Sequence, residues 1–322
     1  MSRTDPPAGP RRPATSSAAG QKPDATGTWP AAGRPPLTNR RWLRIILTFA
    51  RNSLVRDMSF RTNFLLQCIT SVSWTLMNWA FFKIIFLQAT SIGKGTGWNE
   101  SEFFVFLGTV WIINALVQTF FMPNAEEFSE LIRTGHLDFA LLKPIDTQFL
   151  VSFTRLNWPS LSNFLVGILI VIWYTRQLAL QPDNPLAVTP FQVLMYILFV
   201  AAGVVVMYSV MISLASTSVW MGRNQNLYMI WFYITNFYRY PMEIYQRGMI
   251  GWGLWGFFMF VVPILVVANV PARTLAQPLR GTRGGGWEIG LILLLATAAV
   301  VSLIVSRQIF RWALSSYRSA SS

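Results

Sequence analysis

The stretch FQVLMYILFVAAGVVVMYSVMISLASTSV fills residues 191–219 without a charged side chain. A helix that crosses a lipid bilayer needs roughly 18 to 20 such residues, so this stretch is long enough to span one. Further uncharged apolar segments lie at Asn63–Phe82, Phe103–Met122, Leu156–Thr175, Asn224–Tyr238, Gly248–Ala272 and Ile289–Ser306. Because lipid offers the backbone no hydrogen-bond partners, each segment is predicted to be helical. The predicted fold class is therefore all-α, a polytopic bundle of transmembrane helices.

The composition and the placement of charge agree with a membrane protein. Of the 322 residues, 53% are hydrophobic and 12% are charged, whereas soluble domains carry about 25% charged residues. The formal net charge of +13 would also suit a nucleic-acid-binding protein. Basic residues, however, flank the first and last apolar segments, at Arg40, Arg41, Arg44, Arg51, Arg56, Arg61, Arg307, Arg311 and Arg318. Since cytoplasmic loops retain basic residues, we expect a multi-pass protein of the plasma (inner) membrane, in contact with lipid and not nucleic acid, with both termini cytoplasmic.

The chain divides into three predicted parts. Residues 1–38 are rich in Pro, Ala, Gly, Ser and Thr, which predicts a disordered cytoplasmic tail. Residues 39–61 are predicted to form an amphipathic interface helix, with arginines on one side and Trp42, Ile46 and Phe49 on the other. Residues 62–318 contain the apolar segments and are predicted to form the transmembrane domain.

Seven apolar segments conflict with two cytoplasmic termini, which require an even number of crossings. We expect about six spans plus one re-entrant segment, formed by Asn224–Tyr238 or by Gly248–Ala272, whose prolines favour a bend packed within protein. Arg273, Arg280 and Arg283 would then lie outside, against the positive-inside tendency, so seven crossings remain an alternative.

A polar break separates these two candidate segments and contains Arg239, Tyr240, Pro241 and Glu243. Arg239 and Glu243 are four residues apart, the spacing at which opposite charges pair on a helix. The pair is predicted to brace the break or to line a path for a substrate. Bracing is favoured, because irregular backbone at membrane depth must be satisfied within the protein.

The sequence lacks the patterns of common catalytic and metal sites. The phosphate-binding loop GxxxxGK[ST] is absent, as are HExxH, GxSxG and CxxC. Cys68 and His136 are the only residues of their types, so neither a disulfide within the chain nor a paired-histidine metal site can form. We therefore expect no catalytic residue, no metal and no cofactor bound by this chain.

The loop 123–150, between the second and third segments, is predicted to face the cytoplasm. Its first helix would carry charged side chains on one face and Phe128, Leu131 and Ile132 on the other. Gly135 would end this helix, and a second apolar group follows at residues 137–142. Such a loop fits a docking surface for another protein, and it fits equally a helix lying on lipid headgroups.

Three motifs carry a resemblance to a known family. Residues 133–145, RTGHLDFALLKPI, resemble a G-x-L-D-x-x-L-L-K-P stretch. Residues 237–245, FYRYPMEIY, resemble an R-Y-P-x-x-I/V-Y segment, and residues 56–64, RDMSFRTNF, resemble the entry into a first span. In this order, these are motifs of the membrane (permease) subunits of type-2 ABC exporters, the ABC-2 type permeases. The likeness covers about residues 40–318.

The resemblance implies a function and partners. Residues 62–318 would be a permease domain with six crossings, and loop 123–150 its coupling loop. A separate ATPase subunit would use the ATP, and a second permease chain would complete a homodimer or heterodimer. The ATPase would dock on Gly135, Leu137, Asp138, Leu141, Leu142, Lys143 and Pro144, with the leucines as apolar contacts and the charged pair setting orientation.

Two other functions remain alternatives on the residues alone. A membrane-embedded enzyme acting on lipid is disfavoured by the lack of acidic or histidine clusters, and a secondary carrier by the lack of acids within the spans. An ATPase and a sister permease encoded beside the gene would favour the exporter. The pattern specifies neither the transported compound nor the residues that line its path.

Overall fold

The computed structural model describes residues 39–89, 91, 97–143, 145–181, 187–221, 227–277 and 285–317. Of these residues 87% are helical and none lies in a strand, which confirms the all-α class. The predicted tail 1–38 and the predicted docking residue Pro144 lie outside the described residues, as do Arg280, Arg283 and Arg318. Ile45–Ser322 form one compact unit; of the other unit, Met1–Arg44, only the helical residues 39–44 are described.

The described helices follow one another with short connections. In chain order they are α1 (Asn39–Ser59), α2 (Arg61–Gln88), α3 (Glu100–Phe120), α4 (Met122–Arg133), α5 (Leu137–Leu141), α6 (Thr147–Phe153), α7 (Leu161–Ala179), α8 (Pro190–Ser216), α9 (Ser218–Met221), α10 (Leu227–Asn236), α11 (Gly248–Gly256), α12 (Leu265–Ala276) and α13 (Gly285–Ser316). Single 3-10 turns occupy Trp158–Ser160, Phe237–Arg239 and Met242–Tyr245, and a π-helical turn, Phe257–Val261, extends α11.

Within the described residues, four helical stretches are long and apolar enough to cross a membrane, at Glu100–Arg133, Trp158–Ala179, Pro190–Met221 and Trp287–Ser316. A fifth would be α11 and α12, if this pair, bent by 85°, crossed as one. The structure thus gives four or five candidate spans, and the six predicted are not confirmed. The predicted span Asn63–Phe82 lies in α2, whose 28 residues include Lys83 and several amide and hydroxyl side chains that make it less apolar.

Polar contacts mark the two ends of the helix bundle. At the first, the Glu100 end, Lys83 of α2 forms an ion pair with Glu100 of α3. At the second, the Arg307 end, Arg307 of α13 bonds to Asp146 with an N–O distance of 2.7 Å. α2 and α7 run from the Arg307 end towards the Glu100 end, and α3, α8 and α13 run in the opposite direction.

Capping boxes fix where α3 and α8 begin at the Glu100 end. The backbone N–H of Asn99 donates to Glu102 (3.1 Å), and that of Thr189 donates to Gln192 (2.8 Å). In each case the side chain three residues into the helix satisfies a backbone donor that has no partner inside the helix. These sequence signals place both helix starts at the same level of the bundle.

The second half of α1 is tied to the start of α7. The backbone N–H of Leu156 donates to the hydroxyl of Ser53 (3.1 Å), and the indole N–H of Trp158 donates to the carbonyl oxygen of Ala50 (3.2 Å). The helix predicted over residues 39–61 is therefore present, and its C-terminal half packs on the bundle.

α3 and α7 approach each other closely at two glycines. A Cβ atom placed on Gly108 would lie 2.8 Å from Cγ2 of Val171 and 3.2 Å from the carbonyl oxygen of Gly167. A Cβ atom on Gly167 would lie 2.9 Å from a side-chain carbon of Ile112. Small residues at such a crossing let two helix backbones meet inside a membrane protein. This contact sets the position of α3, which also borders the polar cavity described below.

Candidate functional site

The predicted docking segment begins where α4 ends. α4 stops at Arg133, and Gly135 has φ = +71°, a left-handed conformation that glycine adopts without strain. The chain turns there and starts α5 at Leu137. Gly135 therefore provides the turn that directs α5 away from the axis of α4.

The apolar side chains that α5 exposes differ from those predicted. Leu137 is completely buried, so it packs in the core and is not available as a docking contact; this corrects the prediction. Leu141 and Leu142 are 41% and 82% exposed, and Phe139, which was not predicted, is 66% exposed. On a helix, Leu137 shares a face with Ala140, which is also buried, while Phe139 and Leu142 point elsewhere. We call Phe139, Leu141 and Leu142 the α5 patch.

After the α5 patch, the chain is held in place by contacts of Asp146, the residue before α6. Asp146 accepts a hydrogen bond from the backbone N–H of Phe149 (3.0 Å) at the start of α6 and bonds to Arg307 of α13. Burial alone would raise the pKa of Asp146, but this N–H and the guanidinium groups of Arg307 and Arg311 outweigh it and lower the pKa. The carboxylate therefore stays ionised and ties the segment to α13.

The charged residues predicted in the docking segment lie beside the patch. Lys143 is exposed, and Asp138 is half-buried with interactions of its own. The structure thus places exposed apolar side chains and an exposed cation together at the Arg307 end.

The other predicted site, the break near residue 240, leads into a hairpin. α11 and its π-helical turn run to Val261, and the chain bends at Pro263. The axis of α12 makes an angle of 85° with that of α11. Gln277, the first residue after α12, donates from Nε2 to the carbonyl oxygen of Gly97 (3.1 Å), three residues before α3. The exit of the hairpin is therefore at the Glu100 end.

An ion pair closes the mouth of this hairpin. Glu243, just before α11, pairs with Arg273 in the last turn of α12. The same carboxylate accepts a hydrogen bond from the indole N–H of Trp98 (3.1 Å), and the guanidinium of Arg273 lies 5.2 Å from the centre of a Trp98 ring. The side chains of Glu243 and Arg273 are only 7% and 21% exposed. Entry and exit of the hairpin thus lie side by side.

The predicted pairing of Arg239 with Glu243 is wrong. Arg239 ends one 3-10 turn and Glu243 lies in the next, with the extended residue Tyr240 and Pro241 between the turns. The continuous helix that would bring the two side chains together therefore does not exist. The guanidinium of Arg239 instead lies 5.9 Å from the ring centre of Phe232. Sequence reasoning missed the true partner, Arg273, because it is 30 residues away from Glu243.

Arg239 borders a cavity of about 310 Å³ between α2, α3, α10 and the start of α7. The cavity is lined by Ser71, Trp74, Thr75, Asn78, Trp111, Asn114, Ala115, Gln118, Ser160, Asn163, Trp231, Phe232, Thr235 and Arg239. Amides, hydroxyls and indoles therefore dominate its wall.

Sequence reasoning missed this cavity, although a signal was present. On α2, Ser71, Thr75 and Asn78 recur at intervals of four and three residues, and on α3 Asn114 and Gln118 are four apart. Residues at these intervals share one face of a helix. Polar stripes on two apolar helices predict a shared polar space, whereas a search for charged residues alone passes over them.

The described residues contain no group of three or more His, Cys, Asp or Glu side chains that could hold a metal ion. The exposed apolar patch and the polar cavity are both surfaces suited to binding another molecule.

Comparison with known proteins identifies a family. A family model described as an ABC-2 family transporter protein matches residues 72–321. This range includes the α5 patch, the hairpin and the larger part of the cavity wall. No curated protein and no solved structure matches the chain.

Proposed function

Because the chain belongs to the ABC-2 transporter family, we propose that it is the membrane-spanning subunit of an exporter that a separate ATPase subunit energises. The family and the candidate spans make it a multi-pass membrane protein and a permease of an ABC-2 type transporter. In the proposal the partner binds and hydrolyses ATP, while this chain is no enzyme and binds no cofactor or metal. A second permease chain, identical or related, completes the transporter in the plasma (inner) membrane.

The α5 patch is the observation that carries this proposal. The continuous stretch Glu100–Arg133 has 34 residues, about 51 Å of helix at 1.5 Å per residue. The hydrocarbon core of a bilayer is only about 30 Å thick, so the end of α4 and the patch beyond it extend outside. An exposed apolar patch of this kind marks a site of interaction with another protein or with the membrane surface, and membership of the ABC-2 transporter family favours the protein.

The residues of the patch suit an ATPase as the partner. Phe139 and Leu142 can enter pockets of the ATPase as apolar anchors, which dominate the energy of such contacts. Lys143 orients the partner through its charge, and Gly135 supplies the turn that presents α5. Asp138 and Pro144 complete the coupling element as the sequence motif implies.

Leu142→Asp should reduce recovery of the ATPase subunit at least tenfold. A carboxylate buried at an interface without a partner is costly, and Leu142 is the most exposed residue of the patch. The measurement is co-purification of a co-expressed candidate ATPase subunit with affinity-tagged chain, normalised to the amount of chain in the membrane. Phe139→Asp should give the same loss.

The matched control is Leu180→Asp. Leu180 follows α7 at the Glu100 end, away from the patch, and is 80% exposed, as Leu142 is 82% exposed, so the two variants share the substitution and differ in position. Its ATPase recovery should equal that of the wild type. If the wild type captures no ATPase, the exporter proposal is wrong; if Leu142→Asp captures as much as Leu180→Asp, the docking site is wrong.

The proposed topology has six crossings, formed by α2, α3, α7, α8, the stretch from α10 to Glu243, and α13. The pair α11–α12 is the re-entrant segment, α1 lies at the membrane interface, and both termini are cytoplasmic. The ion pair Glu243–Arg273 supports the re-entrant assignment, because it joins the residues before and after the hairpin. It also neutralises one arginine that otherwise opposes an outside loop.

Reporter fusions should show Ser322 inside and Gly285 outside. A reporter that works only in the cytoplasm should be active after Ser322 and inactive after Gly285, and a reporter that works only outside should give the reverse. The opposite pattern at both sites would mean that α11–α12 crosses completely and that the chain has seven crossings.

A further inference from the structure

The polar cavity beside Arg239 lies at membrane depth. Trp111 and Gln118 of α3 line it, about 17 and 27 Å along the helix from Glu100 at 1.5 Å per residue. Trp74 and Thr75 stand at the midpoint of α2. Since the hydrocarbon core is about 30 Å thick, the cavity extends from the middle of the membrane towards the Arg307 end.

Arg239 is the one charged residue of the cavity wall, which contains no carboxylate. Within the described residues it forms neither an ion pair nor a hydrogen bond, and its guanidinium lies over the ring of Phe232. By contrast, the buried side chains of Glu243 and Arg273 are paired with each other. An ionisable side chain within the membrane that lacks such a partner points to a functional site.

Two amides in the same wall also await partners. Asn163 donates to Ser71 (2.7 Å) and accepts from Thr75 (3.0 Å), so this corner of the wall is satisfied internally. Asn114 and Gln118, on α3, make no side-chain hydrogen bond within the described part of the chain. Their donors and acceptors are available to a molecule in the cavity.

Flat aromatic groups complete the wall. Trp74, Trp111 and Trp231 come from three different helices. Indole rings offer broad apolar faces together with a polar N–H, so they bind ring systems that also carry hydrogen-bonding groups. The cavity thus combines one cation, two free amides and three indoles, with no negative charge.

We propose that Arg239 binds the acidic group of the transported compound, a phosphate or carboxylate on a larger ring-containing, hydrogen-bonding body. A guanidinium can bond such a group through two parallel N–H donors. Asn114 and Gln118 bind the body of the compound and the tryptophans stack on its rings. This inference rests on the proposed function, since it names the class of substrate exported.

The test measures binding to the full-length chain alone, in phosphatidylcholine nanodiscs without an ATPase. The probes are n-dodecyl phosphate, n-dodecyl maltoside and inorganic phosphate, each below its micellar concentration where that applies, and the readout is the shift in thermal unfolding midpoint with probe concentration. For the wild type we expect an apparent Kd for dodecyl phosphate at least tenfold lower than for either other probe. Arg239→Gln should abolish this preference.

Arg176→Gln is the matched control, because Arg176 is an exposed arginine of α7 outside this cavity. It should keep the preference of the wild type. Replacing Asn114 and Gln118 together by alanine should weaken binding of dodecyl maltoside, whose sugar carries hydroxyls, and should leave binding of dodecyl phosphate, whose body is an alkyl chain, largely unchanged.

Several outcomes would overturn the proposal. These are a wild type without preference for dodecyl phosphate, an Arg239→Gln variant that retains the preference, and inorganic phosphate binding as well as dodecyl phosphate. If Arg239→Gln does not fold, Arg239→Lys decides: it keeps the charge but loses the paired donors, so the preference should fall severalfold, and an unchanged preference would count against the proposal. Because no ATPase is present, loss of ATPase capture in the docking experiment leaves this result unaffected.

Discussion

Arg273→Met should destabilise the folded chain by about 3–5 kcal/mol, because it leaves the carboxylate of Glu243 buried without its cation. Glu243 is 7% exposed and Arg273 21% exposed, so water cannot replace the lost partner. The expected result is a large fall in the denaturant concentration at which the purified protein unfolds in mixed micelles. Since the pair closes the hairpin, we expect α11 and α12 to lose protection from hydrogen exchange first.

A double-mutant cycle measures the interaction free energy between Glu243 and Arg273, apart from what each side chain contributes alone. The variant with both Glu243→Gln and Arg273→Met removes the two charges together and should be less destabilised than the sum of the single variants, with a coupling of about 0.5–3 kcal/mol. Arg239→Met is the control for the partner that sequence spacing suggested. Its effect should add to that of Glu243→Gln, and coupling to Arg239 in place of Arg273 would contradict the structure.

The helices themselves could largely be predicted from the sequence. Residues 191–219 lie almost wholly in α8 and α9, and residues 103–122 in α3 and the start of α4. Such stretches are predictable because a long uncharged run has no alternative to a helix in lipid. The bent segment 248–272 was also recognisable, because one of its prolines, Pro263, stands at the break that the structure shows.

The partners of polar residues could not be predicted, because they come from distant parts of the chain. Glu243 meets Trp98 and Arg273, which are 145 and 30 residues away. Local spacing offered Arg239 as the partner, but an i,i+4 pair exists only on a continuous helix, and two 3-10 turns replace it here. A pairing rule taken from helices fails where the chain leaves the helix.

The docking segment shows the limit of periodicity in short elements. α5 has five residues, little more than one turn, so hydrophobic spacing cannot tell its buried face from its exposed face. Leu137 was therefore predicted as an exposed docking contact although it is buried, and Phe139, which is exposed, was left out of the predicted set. The cavity, in contrast, was readable from the polar spacing on α2 and α3, whose lengths allow several turns to agree.

Gly108→Val should prevent close packing of α3 against α7 and sharply reduce the yield of folded protein. The first added carbon would lie 2.8 Å from Cγ2 of Val171 and 3.2 Å from the backbone oxygen of Gly167. A side chain can move, but the backbone of a packed helix cannot, so the cost should reach or exceed the roughly 1–3 kcal/mol typical of overpacking. Val171→Ala should restore part of the loss, because it removes the nearer of the two contacts.

The matched control for this packing is Gly290→Val in α13, where an added Cβ meets no atom within 4 Å. Both substitutions place valine within a helix, so the change in helix propensity is similar and the difference between them reports the α3–α7 contact. The measurement is the fraction of detergent-extracted protein that elutes as a single species, followed by its unfolding midpoint. Equal behaviour of the two variants would mean that α3 and α7 do not approach as closely as the structure requires, and the cavity that α3 borders would then have a different shape.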